Sequence, residues 1–241
     1  MASKVRLYVD HPLGEGQSVP LSRDQVHYLF GVMRLGEGAI LSLINGADGE
    51  WDAAVAEAGK KRGVLVCQTQ TAPLRMPPDM WLIFAPIRKE RTAFIVEKAV
   101  EMGASRVMPG QTDYTQKANR IRQDKLQAHA IEAAEQCGGT FVPPVDDLMR
   151  LDRILADWPK GRQLMFCDEA MAGRSAALPS DLAGPWAILI GPEGGFSPQE
   201  RGMLQDLEFA HPVSLGPRIL RADTAAVAAM TVWQQALGDW Q

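Results

Sequence analysis

Two glycine-bearing segments hold most of the residues able to do chemistry. In residues 186–200, WAILIGPEGGFSPQE, an apolar run leads straight into Gly191-Pro192-Glu193-Gly194-Gly195. Three glycines in five residues let the backbone take positive φ and let a ligand approach the peptide groups closely. Ser197, Pro198 and Glu200 supply an N-cap, a first helical residue and a capping-box acid, so a helix starts directly after the loop. The spacing matches neither GxGxxG nor the phosphate-binding GxxxxGK pattern, and Glu193 would repel a phosphate, so a cationic or neutral ligand suits the loop better. The plain alternative is a tight strand-to-helix turn with no ligand. Residues 215–225, LGPRILRADTA, again set a Gly-Pro turn beside a strand end, followed by apolar residues, Arg221, and Thr224 ahead of an Ala-rich helix. Two such turns suit one shared cleft, while ordinary core packing explains the small residues of that helix equally well.

The other reactive side chains are scattered. His11, His27, His129 and His211 show no HxxxH or cysteine-associated spacing, so no metal is expected. Cys67, Cys137 and Cys167 are odd in number and form no CxxC pair, which predicts reduced thiols; all three read as core residues. Charge is more informative. The net value is −4, yet residues 74–130 carry 10 basic and 6 acidic side chains, whereas residues 131–241 carry 8 and 15. A basic block acts over about a Debye length whatever the total charge, so it predicts either a phosphate-binding face or a solvated helix face.

The 241 residues, 46% hydrophobic and 22% charged, exclude a miniature disulfide scaffold and global disorder. The longest apolar runs, 81–87 and 186–190, fall far short of the roughly 20 residues of a spanning helix. The N-terminus lacks the apolar stretch of a secretory signal, so a cytoplasmic protein is expected. Residues 4–10 alternate as a strand, and Ser22 with Gln25 open a short helix through Met33. Segments 39–44, 51–56 and 64–71 read as hairpin strands that must close into a small barrel to hide their edges. The Pro-rich stretch 72–79 ends that domain, giving limits of 1–73 and 78–241. From Met80 strands alternate with helices: 80–87, a helix 90–102, 106–108, a helix ending at Gly138-Gly139, then 163–167, 186–190, 212–215 and a helix 224–237. That grammar predicts an α/β domain with a parallel sheet and a ligand at the carboxyl ends of its strands.

ILIGPEGGFSPQE and VSLGPRILRADTA, with IRKERTAFIVEKAVEMG, IEAAEQCGGTFVP and HYLFGVMRL in order, resemble the bacterial small-subunit ribosomal RNA uridine-N3 methyltransferases of the SPOUT superfamily, over nearly the whole chain. The resemblance implies an N-terminal PUA-like β-barrel that binds RNA and a SPOUT α/β domain with a C-terminal trefoil knot. It implies methylation of uridine N3 in 16S ribosomal RNA, naked or within the assembled small subunit, with S-adenosyl-L-methionine as donor and a homodimer as the working form. A SPOUT methyltransferase acting elsewhere, such as a ribose 2′-hydroxyl, and a non-catalytic RNA-binding assembly factor are the competing readings.

On that resemblance the cofactor site comprises Leu189, Ile190, Gly191, Glu193, Gly194, Leu215, Gly216, Ile219, Leu220, Arg221 and Ala225. Arg221 would stabilise the uridine anion or pair with Glu193 or Asp223. Glu193 would take the N3 proton or orient the cofactor. The RNA track would be Arg6, His27, Arg34, Arg88, Lys89, Arg91, Lys117, Arg120, Arg122 and Lys125. Set against that resemblance the chain departs from the usual pattern in four places: many relatives carry lysine where Arg88 stands, an acidic residue near Ala93, a Glu-Arg-Ser-like element near Asp113-Tyr114-Thr115, and arginine where Gly139 stands.

Overall fold

The computed structural model describes residues 5–115, 121–173, 178, 179, 182 and 184–240. Proximity along the backbone groups the chain into two units, 1–76 with 134–142, and 77–133 with 143–241.

In the first unit, β1 (Arg6–Tyr8), β2 (Ser18–Pro20), β3 (Ile40–Ile44), β4 (Glu50–Ala58) and β5 (Gly63–Ala72) form one sheet in the order β1-β3-β4-β5-β2. Register shifts along β4 and β5 curl it around Leu7, Val19, Leu29, Leu41, Leu43 and Leu65. No ladder joins β1 to β2 among the described residues, so the sheet is a half-barrel rather than the closed barrel expected. Its edges are managed otherwise. β2 is three residues long and ends at Pro20, which has no N–H to offer, and on β1 the Tyr8 N–H donates to the Glu135 carboxylate at 2.7 Å. The expected capping box of Ser22 and Gln25 opens α1 (Arg23–Val26), which widens into a π-helical turn over His27–Val32.

Residues 134–142, which the sequence pattern assigns to the second domain, group with the first because Arg6 anchors them. Its guanidinium donates to the carbonyls of Ala134, Glu135 and Gly139 at 2.7, 2.9 and 3.0 Å and pairs with Glu50 at 2.8 Å. Arg6 is therefore an internal staple and leaves the RNA track. Alternation did place it off the core face; what covers that face is a segment 128 residues away.

The second unit holds β6 (Met80–Phe84), β7 (Arg106–Gln111), β8 (Met149–Arg150), β9 (Gln163–Cys167), β10 (Trp186–Ile190) and β11 (Ala210–Val213), all parallel, in the order β11-β9-β10-β6-β7-β8. Every residue of β10 is buried, which is why WAILI reads as an unbroken apolar run instead of alternating. The helices are α2 (Lys89–Glu101), α3 (Gln123–Cys137), α4 (Leu151–Ala156), α5 (Pro198–Gln205) and α6 (Ala222–Leu237). α6 packs on α2 and β10, and its fully buried Gln234 donates to the Met102 carbonyl at 2.7 Å. Of the cysteines, Cys67 is buried but Cys137, at the last turn of α3, is exposed, contrary to its reading as core. No helix among the described residues is long and apolar enough to cross a membrane.

Candidate functional site

β11, β9, β10 and β6 are neighbours in the sheet, so the segments leaving their carboxyl ends converge. They enclose a cavity of about 400 Å³, a size suited to a small ligand. Arg88 and Arg91 enter from the start of α2, and Cys167, Asp168 and Glu169 from the end of β9. β10 sends in Ile190, Gly191, Glu193 and Gly195. The segment after β11 supplies Leu215, Gly216, Arg218, Ile219, Leu220 and Arg221, and α6 adds Ala225.

Two glycines of the 191–195 loop are required by geometry. Gly195 has φ +71° and donates its N–H to the Pro192 carbonyl at 2.9 Å; a Cβ there would collide with the Glu169 carboxylate. At Gly191 a Cβ would lie 2.8 Å from the ring of buried Phe196. The loop ends at α5, where Ser197 and Glu200 form the expected reciprocal capping box. Gly194 behaves otherwise than expected. It does not take positive φ among the described residues, lies outside the cavity lining, and faces Tyr114. Leu189 is also misplaced by the sequence reading: alternation along β10 turns it into the core with Ile83 and Phe166, away from Ile190.

The charges around the cavity are partly paired. Arg201 of α5 reaches back with Nε to Asp168 at 2.9 Å and Nη2 to Glu169 at 2.7 Å. The Asp168 side chain is 1% exposed, and it also accepts the Ala170 N–H at 3.0 Å; burying that carboxylate is tolerable because both partners are in place. Arg91 pairs with Asp223 at 2.7 Å, which removes Asp223 as the partner foreseen for Arg221. Arg221, the exposed N-cap residue of α6, lines the cavity and its side chain has no partner among the described residues. Glu193 is exposed at the same rim. Burial pushes the Cys167 thiol up to about 12, so the one sulfur in the lining stays protonated.

Chemically, the lining combines an apolar wall of Ile190, Leu215, Ile219, Leu220 and Ala225, glycine backbone that permits close approach, and both signs of charge at the rim. Ile219, 76% exposed, offers apolar surface that a flat ring can cover. Of the expected cofactor residues, all but Leu189 and Gly194 meet in this cavity. Asp168, Glu169 and Arg218 went unrecognised, although their place after β9 and β11, at the carboxyl ends of parallel strands, was signal enough to find them.

The expected RNA residues do not form one group. Arg88 and Arg91 belong to the cavity. Lys89 and Lys125 are exposed, and Arg122 is exposed but paired with Asp124 at 2.6 Å. Lys117 and Arg120 lie outside the described residues. In the first unit, Arg34 is exposed at φ +56°, the one positive-φ residue other than glycine among those described. His27 lines an open groove of about 460 Å³ with Phe30, Arg23, Lys60 and Lys61. The last three were not singled out from sequence, because only the fold brings the β4–β5 turn beside α1.

Comparison with known proteins gives this geometry a context. Residues 75–234 match the RNA methyltransferase domain family and residues 21–66 the RNA methyltransferase PUA domain. The ribosomal RNA small subunit methyltransferase E of Rickettsia conorii is 29% identical over 230 residues, 93% of each chain. The crystal structure of a ribosomal RNA small subunit methyltransferase E from Neisseria gonorrhoeae bound to S-adenosyl methionine has a TM-score of 0.88 at 27% identity, covering 99% of this chain and 100% of that one. A Legionella pneumophila protein solved with the bound cofactor SAM has a TM-score of 0.86 at 29% identity, with coverage of 99% and 100%.

Proposed function

The chain belongs to the RNA methyltransferase family, and on that premise we propose that it methylates N3 of a uridine in small-subunit (16S) ribosomal RNA with S-adenosyl-L-methionine as donor. The observation that carries this reading is the cavity at four parallel strand ends, with sterically required glycines, an apolar wall and at its rim an arginine without a partner among the described residues. When bound, S-adenosylmethionine supplies an electrophilic methyl group on a sulfonium. Ile190, Leu215, Ile219 and Leu220 would cover the adenine, with the backbone at Gly191, Gly195 and Gly216 left open to close approach. Arg88, Arg91 and Arg218 offer cations for a carboxylate, and Glu169 and Glu193 offer acceptors for hydroxyls. Arg221 would hold the negative charge that develops on the uridine carbonyl oxygens as the N3 proton leaves, an electrostatic role that is strongest in the transition state. Glu193 is the carboxylate at the same rim able to accept that proton.

The domain limits stand as proposals: 1–73 for RNA binding and 78–241 for methyl transfer, with residues 134–142 returning to the first. The basic groove of His27, Arg23, Lys60 and Lys61 suits a phosphate backbone. We also propose the SPOUT-type C-terminal knot, supported by the return of α6 onto α2 and β10. Homodimerisation is supported by Phe94 of α2 and Val232 of α6, both about two-fifths exposed on helices that pack together. A ribosomal RNA substrate implies a cytoplasmic enzyme. Mass spectrometry of nucleosides from the small-subunit RNA of a strain lacking this protein tests the reading. Loss of one N3-methyluridine supports it, whereas loss of a ribose-methylated nucleoside, or of none, overturns it.

A further inference from the structure

Tyr114 stands 48% exposed on a loop that is otherwise closely tied down. The Thr112 and Thr115 hydroxyls bond each other at 2.8 Å, and the Thr112 N–H donates to the Thr115 Oγ1 at 2.8 Å. One residue on, the Asp113 N–H donates to Glu200 Oε1 at 2.8 Å, while Ser197 Oγ donates to the Asp113 carboxylate at 2.5 Å. Glu200 Oε2 meanwhile accepts the Ser197 N–H at 3.0 Å. These bonds fix the loop to the first turn of α5, directly after the glycine loop that lines the cavity. Gly194 faces one edge of the tyrosine: a Cβ built there would lie 3.5 to 3.8 Å from Tyr114 Cβ, Cγ and Cδ2.

An aromatic side chain held in water at a fixed position loses rotamer freedom without gaining full burial. Gly194 faces only the Cβ, Cγ and Cδ2 edge of the side chain, and the remainder of the ring is left to water. A planar surface at a set distance from a methyl-transfer cavity is, in contrast, what an unpaired base requires: bases read or modified by proteins leave their stack and lie on aromatic faces.

We propose that Tyr114 is a positioning residue on which a base of the RNA substrate stacks as the target uridine enters the cavity. This rests on the reading of the chain as an RNA methyltransferase.

The test uses the full chain with Tyr114→Phe, Tyr114→Leu and Tyr114→Ala. Leucine keeps contact with Gly194 and loses the ring; phenylalanine keeps the ring and loses the hydroxyl. Binding of a fluorescent ten-nucleotide oligouridylate is followed by anisotropy across a salt series, S-adenosylmethionine binding by calorimetry, and methyl transfer on small ribosomal subunits from a strain lacking the protein. Tyr114→Leu should bind the oligonucleotide roughly 5-fold to 150-fold more weakly, the usual cost of losing one stacked base, with KM for the subunits raised in step. Its salt slope should match wild type, since stacking releases no counterions. Melting temperature and cofactor affinity should not move, and Tyr114→Phe should behave as wild type. Leucine binding RNA as tightly as tyrosine, or losing cofactor affinity and melting temperature instead, overturns the assignment. Wild-type protein that transfers no methyl group to the subunits overturns the parent reading, and the oligonucleotide titration still decides the role of Tyr114.

Discussion

Replacing Gly195 with alanine isolates the demand the cofactor loop makes on its backbone. Two costs follow from the geometry. An L-residue at φ +71° gives up about 1 to 2 kcal/mol relative to glycine. The new Cβ also meets the Glu169 carboxylate, which must swing away and release its 2.7 Å pair with Arg201. Glu169 is 36% exposed, so that pair is screened and adds roughly 0 to 1 kcal/mol. Together the loss is about 1 to 3 kcal/mol, which for a chain of this length lowers the melting temperature by roughly 2 to 12 °C. If the loop must regain its native path to bind, affinity for S-adenosylmethionine falls by a similar energy, roughly 5-fold to 150-fold. Gly194→Ala is the control: its Cβ makes ordinary contact with Tyr114 at 3.5 Å, and the change should stay within about 0.5 kcal/mol. Calorimetric melting and titration of both variants decide the matter. Adding Glu169→Ala to Gly195→Ala should restore part of the melting temperature by removing the collision and leaving only the backbone cost. Equal behaviour of the two glycine variants, or no coupling with Glu169, would refute the argument.

Arg221→Ala should lower single-turnover methyl transfer by about 100-fold to 1,000-fold, as loss of one oxyanion donor does, while RNA and cofactor affinities change far less; a variant losing only cofactor affinity would make Arg221 part of the pocket wall. Lys60→Ala with Lys61→Ala should reduce the magnitude of the log–log salt slope of RNA binding by about 1.4, two contacts at about 0.7 each for a single strand, and an unchanged slope moves the phosphate contacts elsewhere. Alkylation at pH 8 should label one thiol quickly. Cys137 is exposed, whereas the Cys167 thiol, pushed up to about 12 by burial, has a thiolate fraction of about 10⁻⁴ there, and burial also raises Cys67. Rapid labelling of Cys167, read by peptide mass spectrometry, would contradict the burial of that thiol.

What the sequence made legible follows the strength of each local signal. β10 was plain because a strand buried on both faces reads as an unbroken apolar run, and the two capping boxes were plain because their chemistry lies within four residues. β2 and β8, at three and two residues, are too short for any period to register. Which of the adjacent Gly194 and Gly195 takes positive φ depends on whose N–H turns back to Pro192, a matter of path and not of residue type. Arg6 was read as surface because alternation alone puts it off the core, and only tertiary structure brings residues 134–139 over it.

The departures from the family pattern separate by the same reasoning into those that touch the backbone and those that touch a ligand. Gly139 contributes its carbonyl to Arg6 at 3.0 Å, a bond that the backbone of any residue can make. Ala93 is buried on α2, where a methyl group needs no partner and a carboxylate would. Thr112, Asp113 and Thr115 spend polar atoms on the loop itself and on α5, and Tyr114 is the large apolar side chain of that stretch left exposed. The first two changes fall on residues that do not line the cavity. The third lies on a loop fixed against the first turn of α5, and on the proposed role of Tyr114 it is where the grip on RNA depends on a ring.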